Sequence, residues 1–275
     1  MQNYAFCLHN KHKHFKSFKK RIIMKLFTNF LQIIWKIWFL IIAAVLVIGF
    51  APIIYLVVVF NRIYTFNKLK RLGANIVIFL MGFWVKIEGK AHIDYNKQYM
   101  LIANHTSVLD ILLMIKIFKA PFVFVGKVEL AKFPVFGYFY KKTNITVDRS
   151  SPKSKKEVYN QVENFTKKGL SVTIYPEGTI PDENVVLAPF KNGAFRMAIE
   201  HGLPILPMVF FDNKKHFPYR WTGGFPGRLR IKILAPIPTE NLTQKDMPEL
   251  RDFAYTSIYN ELINEQMKGE FNKNG

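Results

Sequence analysis

The sequence predicts an α/β fold: a mixed, largely parallel sheet flanked by helices, with an N-terminal membrane-embedded helical hairpin before it. Three observations carry this prediction. An uncharged apolar stretch lies near the N-terminus, strand-like runs alternate with helical ones after about residue 86, and 275 residues suffice for one sizeable α/β domain with an accessory segment. We divide the chain into a basic N-terminal tail (1–30), membrane-associated helices (31–85) and an α/β domain (86–275).

Composition and charge narrow the classes of partner. Half of the residues are hydrophobic, which excludes a disordered or fibrous chain, and the single cysteine, Cys7, excludes an intramolecular disulfide framework. The formal net charge is +20, and no Asp or Glu precedes Glu88. Such an asymmetry favours an anionic surface, either nucleic acid or membrane. Because the basic residues flank an apolar stretch and no nucleic-acid-binding motif is recognisable, we expect membrane lipids and no nucleic acid.

The first residues form a basic tail that also contains histidines. His9, His12 and His14 lie among lysines, and a solvated tail explains them better than a metal site does. Met24 opens a segment that is typical of an alternative translation start. No metal site is predicted elsewhere, because the remaining histidines outside the polar turn described below are isolated, at His92, His201 and His216.

Residues 37–60 carry no charge, and as one helix they would extend for roughly 36 Å, enough to cross a bilayer. Gly49 and Pro52 interrupt the middle of this stretch, where proline removes a hydrogen-bond donor and bends or breaks a helix. The sequence therefore favours two helices joined near residues 49–52 that enter one leaflet and return, over a single span or a soluble helix pair. A second apolar run, residues 75–85, is too short to cross and is expected at the interface.

Six short runs after this region are typical of strands, several of them almost continuously apolar, as expected for strands covered on both faces: residues 98–103, 121–126, 143–148, 170–176, 204–211 and 228–237. Helical patterns separate them or follow them, at residues 108–118, 151–169, 192–202 and 247–267. This alternation predicts a parallel or mixed sheet, with functional sites at the carboxyl ends of strands. Pro204 and Pro207 in one run suit an edge or bulged strand.

A polar turn follows the first of these strands, within LIANHTSVLDILLM at residues 101–114. Ser107 and Asp110 resemble a capping box, in which Asp110 only complements a helix N-terminus. Capping does not explain Asn104 and His105. Because positions five apart on a helix diverge by about 140°, His105 must lie in the turn before the helix if its ring is to meet Asp110. An imidazole bonded to a carboxylate at one nitrogen keeps the other free to accept a proton, so the pair is a candidate catalytic base with its orienting acid.

Three further stretches place polar residues at the ends of strands or helices. Residues 176–179 follow one strand and, taken alone, are typical of a surface turn. Arg149 ends another strand before a capped helix, where it either holds a phosphate or pairs with Asp148. Lys191 lies at the start of a third helix.

Together these stretches resemble the glycerolipid acyltransferase family, whose best-known members are 1-acyl-glycerol-3-phosphate acyltransferases. The family's first motif, N-H-x-x-x-x-D, is matched by Asn104, His105 and Asp110. Its second, around G-x-x-x-x-D-R, resembles the region from residue 126 to residue 149. Its third, P-E-G-T-R, is matched at residues 176–179, and its fourth resembles residues 190–208. The four motifs occur in the family's order, and the resemblance covers roughly residues 85–240.

The third motif departs from the family at its last position, where Ile180 replaces an arginine that helps to hold the acceptor's phosphate. An apolar side chain cannot make the bidentate contact that a guanidinium makes. Two interpretations stay open. Either Arg149, Lys127 or Lys191 binds the phosphate instead, or the acceptor is not a simple phosphomonoester. The first is favoured, because Arg149 keeps its place in the second motif.

The resemblance implies transfer of a fatty acyl group from acyl-CoA or acyl-carrier protein to the 2-hydroxyl of 1-acyl-glycerol-3-phosphate, which gives phosphatidic acid in phospholipid biosynthesis. It implies catalytic roles for His105 and Asp110, with no cofactor and no metal. Direct transfer without an acyl-enzyme is expected, because the sequence contains no G-x-S-x-G elbow. The motif positions implied to bind substrate are Asn104, Lys127, Arg149, Glu177, Gly178, Thr179 and Lys191.

Two alternatives to this activity stay open: an acyltransferase for another acceptor, such as glycerol 3-phosphate or a non-phosphate lysolipid, and a non-catalytic membrane-binding protein with the same fold. The expected partners are anionic phospholipid and lysophospholipid in the membrane, and acyl-CoA or acyl-carrier protein. A composition rich in Lys, Asn, Ile and Phe is typical of an AT-rich bacterial genome, which predicts a location at the cytoplasmic face of a bacterial inner membrane.

Overall fold

A computed structural model describes residues 2–148 and 151–274, with side chains described between residues 17 and 268 except at 149, 150, 152, 153 and 155. The strands in these residues are β1 (Phe83–Glu88), β2 (Met100–Ala103), β3 (Phe122–Lys127), β4 (Ile145–Val147), β5 (Ser171–Ile174), β6 (Ile205–Phe210) and β7 (Gly227–Ile233). The α-helices are α1 (Gln2–Val59), α2 (Ile63–Leu80), α3 (Leu109–Ile117), α4 (Phe136–Thr143), α5 (Pro152–Thr166), α6 (Gly193–Glu200), α7 (Asn213–His216) and α8 (Met247–Asn274). Short 3₁₀ turns occupy Lys90–His92 and Val128–Lys132.

The strands form one mixed, largely parallel sheet in the order β1-β7-β6-β2-β5-β3-β4. The five strands from β6 to β4 are mutually parallel, whereas β7 runs antiparallel to β6 and pairs in parallel with β1. The carboxyl ends of β6, β2, β5 and β3 therefore lie along one edge of the sheet. The predicted fold class is confirmed, with helices on both faces of this sheet.

The strand that contains Pro207 is central, so the prediction of an edge strand there is wrong. β6 lies between β7 and β2, and Pro207 is paired with Ile102 of β2. Its missing N–H is tolerated because the ladder with β7 covers only the three residues after it, from Met208 to Phe210.

Two apolar cores lie on opposite faces of the sheet. Leu101 and Ala103 of β2 contribute to the core shared with α2 and α3, whereas Met100 and Ile102 contribute to the core shared with α5, α6 and α8. All four side chains are fully buried. Because side chains alternate along a strand, a strand covered on both faces must be apolar throughout, as the sequence of β2 is.

The N-terminal hairpin turns later than the sequence suggests. α1 continues through Gly49 and Pro52 to Val59, and the reversal occurs at residues 60–62, where Asn61 has a φ of 51°. Asparagine is among the non-glycine residues that most readily adopt a left-handed conformation, which fits it to this tight turn. Residues on both sides of Pro52, such as Phe50 and Ile54, line one surface with α2 and α4, so the helix keeps one packing face across the proline.

α1 is also longer than predicted at its start. The helix begins at Gln2, so residues 2–30 are helical and the boundary drawn at residue 30 has no counterpart in the backbone. Among the described residues, one helical segment, Ser17–Val59, is long and apolar enough to cross a membrane by length and composition, and 6% of its most apolar window is buried. This leaves a large apolar surface exposed along the helix.

The second apolar run does not form a separate interfacial element. α2 ends at Leu80, and residues 83–85 enter β1, which pairs with β7 in the sheet. The run is divided because Gly82, with a φ of 73°, turns the chain between the helix and the strand. The division of the chain into three domains stays a prediction, although the sheet begins at Phe83 rather than at residue 86.

Candidate active site

His105 lies in the loop between β2 and α3, at the edge of the sheet where several strands end together. Asn104 fixes the start of this loop: its side-chain NH₂ donates to the carbonyl of Phe210 at 3.0 Å, and its oxygen accepts the N–H of Phe210 at 2.8 Å. These two hydrogen bonds join the end of β2 to the end of β6, and the Asn104 side chain that makes them is buried. Asn104 thus holds the loop in place, and the substrate contact implied by the family motif stays a prediction.

His105 and Asp110 meet as the spacing predicts. Nδ1 of His105 is 2.8 Å from Oδ2 of Asp110, and the exposed fractions of the two side chains are 19% and 0%. The same carboxylate oxygen accepts the backbone N–H groups of Thr106 at 2.6 Å and Ser107 at 2.9 Å. Asp110 therefore caps the start of α3 and orients the imidazole at once, so the two interpretations of the motif describe one carboxylate.

Asn213 completes the surroundings of Asp110, although no sequence motif marks it. Its side-chain NH₂ donates to Oδ1 of Asp110 at 2.6 Å, and Asn213 is fully buried at the start of α7. No described residue bonds to its own side-chain oxygen. Asn213 lies three positions after the end of β6. Because functional sites collect at the carboxyl ends of strands, this position is the feature of the sequence that could have identified it.

Tyr175 packs on the imidazole from the end of β5. The rings of Tyr175 and His105 are stacked, with centroids 4.2 Å apart and planes inclined by 17°. Burial, with a further contribution from the charge of Asp110, raises the pKa of the Tyr175 hydroxyl well above its usual value, so this ring stays neutral. The stack and the bond to Asp110 together fix the orientation of His105. No described residue forms a hydrogen bond with Nε2, and the side chain of His105 keeps 19% of its surface exposed.

The carboxylate of Glu177 supports the His105 loop. One carboxylate oxygen accepts the backbone N–H of His105 at 2.6 Å and the other accepts that of Ala188 at 2.9 Å. Burial raises the pKa of this carboxyl group to about 7, although both hydrogen bonds act in the opposite direction. Since both oxygens accept backbone N–H groups, Glu177 positions the loop, and the implied contact with substrate stays a prediction.

The third motif forms a turn that carries a lysine close to the site. Gly178 has a φ of 78°. Its N–H donates to the carbonyl of Tyr175 at 3.0 Å, so this amide is not free to stabilise the oxyanion of an acyl-transfer reaction. A Cβ at Gly178 would lie 2.8 Å from Nζ of Lys191, which packs directly over the glycine. The backbone N–H of Lys191 donates to the carbonyl of Pro176 at 2.8 Å. Thr179 and Lys191 are exposed beside the turn.

The remaining predicted cations lie further along the same edge or beyond the described residues. Lys127 is exposed at the end of β3, two strands from β2 and so roughly 10 Å away along the sheet. Arg149 lies outside the described residues, and its role stays a prediction. Ile180 is half-buried after the turn. Among the residues whose side chains are described, no group of three or more His, Cys, Asp or Glu is arranged to hold a metal ion; His9, His12 and His14 lie outside them.

Comparison with known proteins identifies the family to which this arrangement belongs. The family model described as "Acyltransferase" matches residues 84–211, which include the His105 loop, Glu177 and Lys191. The 1-acyl-sn-glycerol-3-phosphate acyltransferase alpha of Mus musculus is 30% identical over 202 residues, which cover 70% of this chain and 69% of that protein. The chain belongs to the acyltransferase family.

Other relatives of this acyltransferase agree on the family and the fold. The 1-acyl-sn-glycerol-3-phosphate acyltransferase of Saccharomyces cerevisiae is 31% identical over 176 residues, covering 63% of this chain and 58% of that protein. The matched part of the chain thus spans about two thirds or less of the length of most such relatives. The crystal structure of the 1-acyl-sn-glycerophosphate (LPA) acyltransferase PlsC from Thermotoga maritima superposes with a TM-score of 0.72 at 21% identity, covering 88% of this chain and 98% of that chain.

Proposed function

We propose that this acyltransferase moves a fatty acyl group from acyl-CoA or acyl-carrier protein to the 2-hydroxyl of 1-acyl-glycerol-3-phosphate, which gives phosphatidic acid. The observation that carries the proposal is the orientation of the His105 imidazole. Its Nδ1 is bonded to Asp110 at 2.8 Å, and its Nε2 forms no hydrogen bond with any described residue. The names of the mouse and yeast relatives support the choice of acceptor.

His105 acts as the general base in this proposal. Its Nδ1–H donates to Asp110, so the lone pair of Nε2 takes the proton of the acceptor hydroxyl as the hydroxyl oxygen attacks the thioester carbonyl carbon. A C–O bond forms, the C–S bond breaks, and the imidazolium returns the proton to the departing thiolate. Asp110 stabilises the imidazolium throughout. The substrate's own alcohol is the nucleophile, so the chain needs no nucleophilic side chain.

Cations near the third motif are the proposed partners of the acceptor's phosphate. Lys191 packs over Gly178 and is exposed on the same turn that supports His105. An ammonium there supplies the charge that Ile180 does not, although as a point charge rather than as a bidentate fork. Lys127 at the end of β3 and Arg149 are the other two candidates. The exposed ammonium of Lys191 beside the turn favours a phosphorylated acceptor over a phosphate-free one.

An apolar cavity beside the site supports a substrate with long acyl chains. Its volume is about 280 Å³, and it lies between α1, α2, α3 and α4, with Ile111, Leu112 and Ile115 of α3 in its wall. α3 is the helix whose first turn carries Asp110, and Ile111 in the wall of the cavity directly follows Asp110 in the chain. The chemistry of the cavity suits a hydrocarbon chain better than it suits a polar metabolite.

One amine interrupts the apolar lining of this cavity. Nζ of Lys70 donates to the carbonyl of Phe122 at 3.1 Å and lies 3.9 Å from the centroid of the Phe122 ring. Burial lowers the pKa of Lys70 to about 7, so the amine is only partly charged at neutral pH. Phe122 begins β3, at the end of the strand opposite to the site, which puts the amine far from His105.

The hairpin is proposed to enter one leaflet at the cytoplasmic face of a bacterial inner membrane. α2 packs against α1 and carries Lys68 and Arg71 alongside the uncharged stretch of α1. Hydrocarbon around both helices would have to cover these charges, at a cost of several kcal/mol. A hairpin that lies in one leaflet avoids this cost and holds the site near the lipid headgroups.

Substitution of the base tests the proposal. We expect His105→Ala to lower acyl transfer to 1-acyl-glycerol-3-phosphate by roughly 10²–10⁴-fold, the usual contribution of a general base. His201→Ala is the matched control, because His201 is half-buried at the end of α6 and no described residue bonds to its Nε2. Near-normal turnover by folded His105→Ala would refute the base assignment.

A panel of acceptors distinguishes the proposed substrate from its alternatives. Purified full-length protein is supplied with labelled acyl-CoA or acyl-carrier protein, and with lysophosphatidic acid, glycerol 3-phosphate and a phosphate-free lysolipid. We expect phosphatidic acid as the main product. Preference for either of the other acceptors supports the alternative acyltransferase, and absence of thioester consumption with every acceptor supports a non-catalytic protein.

A further inference from the structure

The loop between α7 and β7, residues 217–226, exposes large aromatic side chains outside the site described above. Tyr219, Trp221 and Phe225 have exposed fractions of 74%, 59% and 47%. Exposed aromatic side chains concentrated in one short loop mark an interaction surface more often than isolated ones do. We call residues 217–226 the aromatic loop.

Polar side chains of α1 hold the aromatic loop in place. The ammonium of Lys36 donates to the carbonyl of Pro218 at 2.7 Å and also to the carbonyl of Arg220. The side-chain oxygen of Gln32 accepts the N–H of Gly223 at 2.7 Å. Lys36 is buried by these contacts although it lies in an otherwise apolar part of the helix. The loop is therefore attached to α1 directly beside the uncharged stretch.

The first residue of the aromatic loop also contacts both α1 and the site. The ring of Phe217 packs against Trp35 and Phe39, with centroids 5.5 Å and 4.9 Å apart. Its carbonyl accepts the hydroxyl of Ser107 at 2.6 Å. Ser107 lies two residues after His105, so the position of the loop and the position of the imidazole are fixed to each other.

The chemistry of this surface fits the interface of a bilayer. Tyr and Trp, which are apolar at one end and polar at the other, concentrate at the level of lipid headgroups. Arg220 and Arg228 add exposed cations, and the carboxylate of Glu183 is paired with Arg220 at 2.7 Å. The surface of α1 next to the loop continues the apolar character with exposed Leu31, Ile34 and Trp38.

We propose that the aromatic loop is a second membrane-contacting element, which places Tyr219, Trp221 and Phe225 among the headgroups beside α1. Two attachments then define the depth of the site: the hairpin on one side and the loop on the other. Because the loop is bonded to Ser107, it holds His105 at the depth in the membrane where a lysolipid presents its hydroxyl group. The contribution to catalysis rests on the proposed function, whereas the contact with the membrane does not.

Fluorescence tests the contact itself. Full-length protein is reconstituted in vesicles of phosphatidylcholine and phosphatidylglycerol, and the emission of the Trp221→Phe variant is subtracted from that of the unsubstituted protein. The difference isolates Trp221 from the other tryptophans, which are Trp35, Trp38 and Trp84. We expect lipids brominated near the glycerol end to quench this difference signal. Absence of quenching by these lipids overturns the proposal, and it would assign the surface to a protein partner or to water.

Activity tests the consequence for the site. The triple variant Tyr219→Ser, Trp221→Ser, Phe225→Ser is compared with Phe253→Ser, whose aromatic ring is 60% exposed on α8. We expect the triple variant to lose about tenfold in kcat/KM with lysolipid in vesicles, and to keep its turnover with lysolipid dispersed in detergent. The control is expected to change neither.

Two results contradict the consequence for the site. Equal activity of the triple variant and the control on vesicles means that the loop does not set the depth of the site. An equal loss with both forms of lysolipid means that the loop acts through the fold of the site rather than through the membrane. If the unsubstituted protein transfers no acyl group, the proposed function fails, and the quenching experiment still decides whether the loop contacts lipid.

Discussion

Replacement of Asp110 by asparagine isolates the charge of this residue from its hydrogen bonds. The carboxylate accepts four donors: Nδ1 of His105, the N–H groups of Thr106 and Ser107, and the NH₂ of Asn213. An amide oxygen in the place of Oδ2 keeps the first three. The new NH₂ then faces Asn213, whose side-chain oxygen has no partner among the described residues. Rotation of the Asn213 amide by half a turn offers that oxygen, so the variant is expected to fold.

The size of the effect follows from the charge that is lost. Two unit charges about 4 Å apart near a protein surface interact by about 4 kcal/mol, and this is the stabilisation that Asp110 gives to the imidazolium in the transition state. Each 1.4 kcal/mol corresponds to roughly tenfold in rate, so Asp110→Asn is expected to lower kcat by about a thousandfold. KM is expected to change little, because the charge matters after the proton has moved.

The assay compares Asp110→Asn with Asp110→Ala. Alanine leaves four buried donors without an acceptor, each at a cost of about 1–3 kcal/mol, which is a large part of the stability of a typical domain. We expect the alanine variant to lose thermal stability and the asparagine variant to keep it, as measured by circular dichroism. Turnover of folded Asp110→Asn within tenfold of the unsubstituted enzyme would show that the carboxylate serves the fold alone.

Three further changes probe the support of the site and its substrate contacts. Burial raises the pKa of Glu177 to about 7, so the folded protein retains a proton that the unfolded chain releases near pH 4.5. The free energy of unfolding therefore falls as the pH rises from about 4.5 to about 7. Glu177→Gln should lessen the loss of melting temperature between pH 5 and pH 8. Lys191→Ala should raise KM for the phosphorylated acceptor by roughly tenfold or more and leave a phosphate-free acceptor unaffected, since bonds to charged groups contribute about 1.5–3 kcal/mol. A Cβ at Gly73, which lines the cavity, would meet no atom within 4 Å. Gly73→Phe should therefore fill part of the cavity, so that acyl donors with shorter chains win when donors compete. The control Gly73→Ala should only stabilise α2 by about 1 kcal/mol.

Short-range patterns in the sequence determined the fold class and the central pair of the site. The alternation of apolar runs with helical periodicity predicts the mixed sheet, because both patterns reflect burial of neighbouring side chains. The pairing of His105 with Asp110 follows from a separation of five residues across the start of one helix. The local geometry of a strand, a turn and a helix N-terminus is enough to bring these two side chains to 2.8 Å.

Only the tertiary structure decided which distant residues complete the site and where the hairpin turns. Asn213 is 103 positions from Asp110, and Glu177 is 72 positions from His105, so no local pattern links these pairs. The order of β6, β2 and β5 in the sheet puts their carboxyl ends side by side and thereby creates the contacts. Proline at position 52 predicts a break in α1, but the helix continues through it to Val59 and the reversal lies at Asn61. Proline lowers the preference for helix at one position, but the reversal itself needs a residue that accepts a positive φ, and Asn61 is that residue.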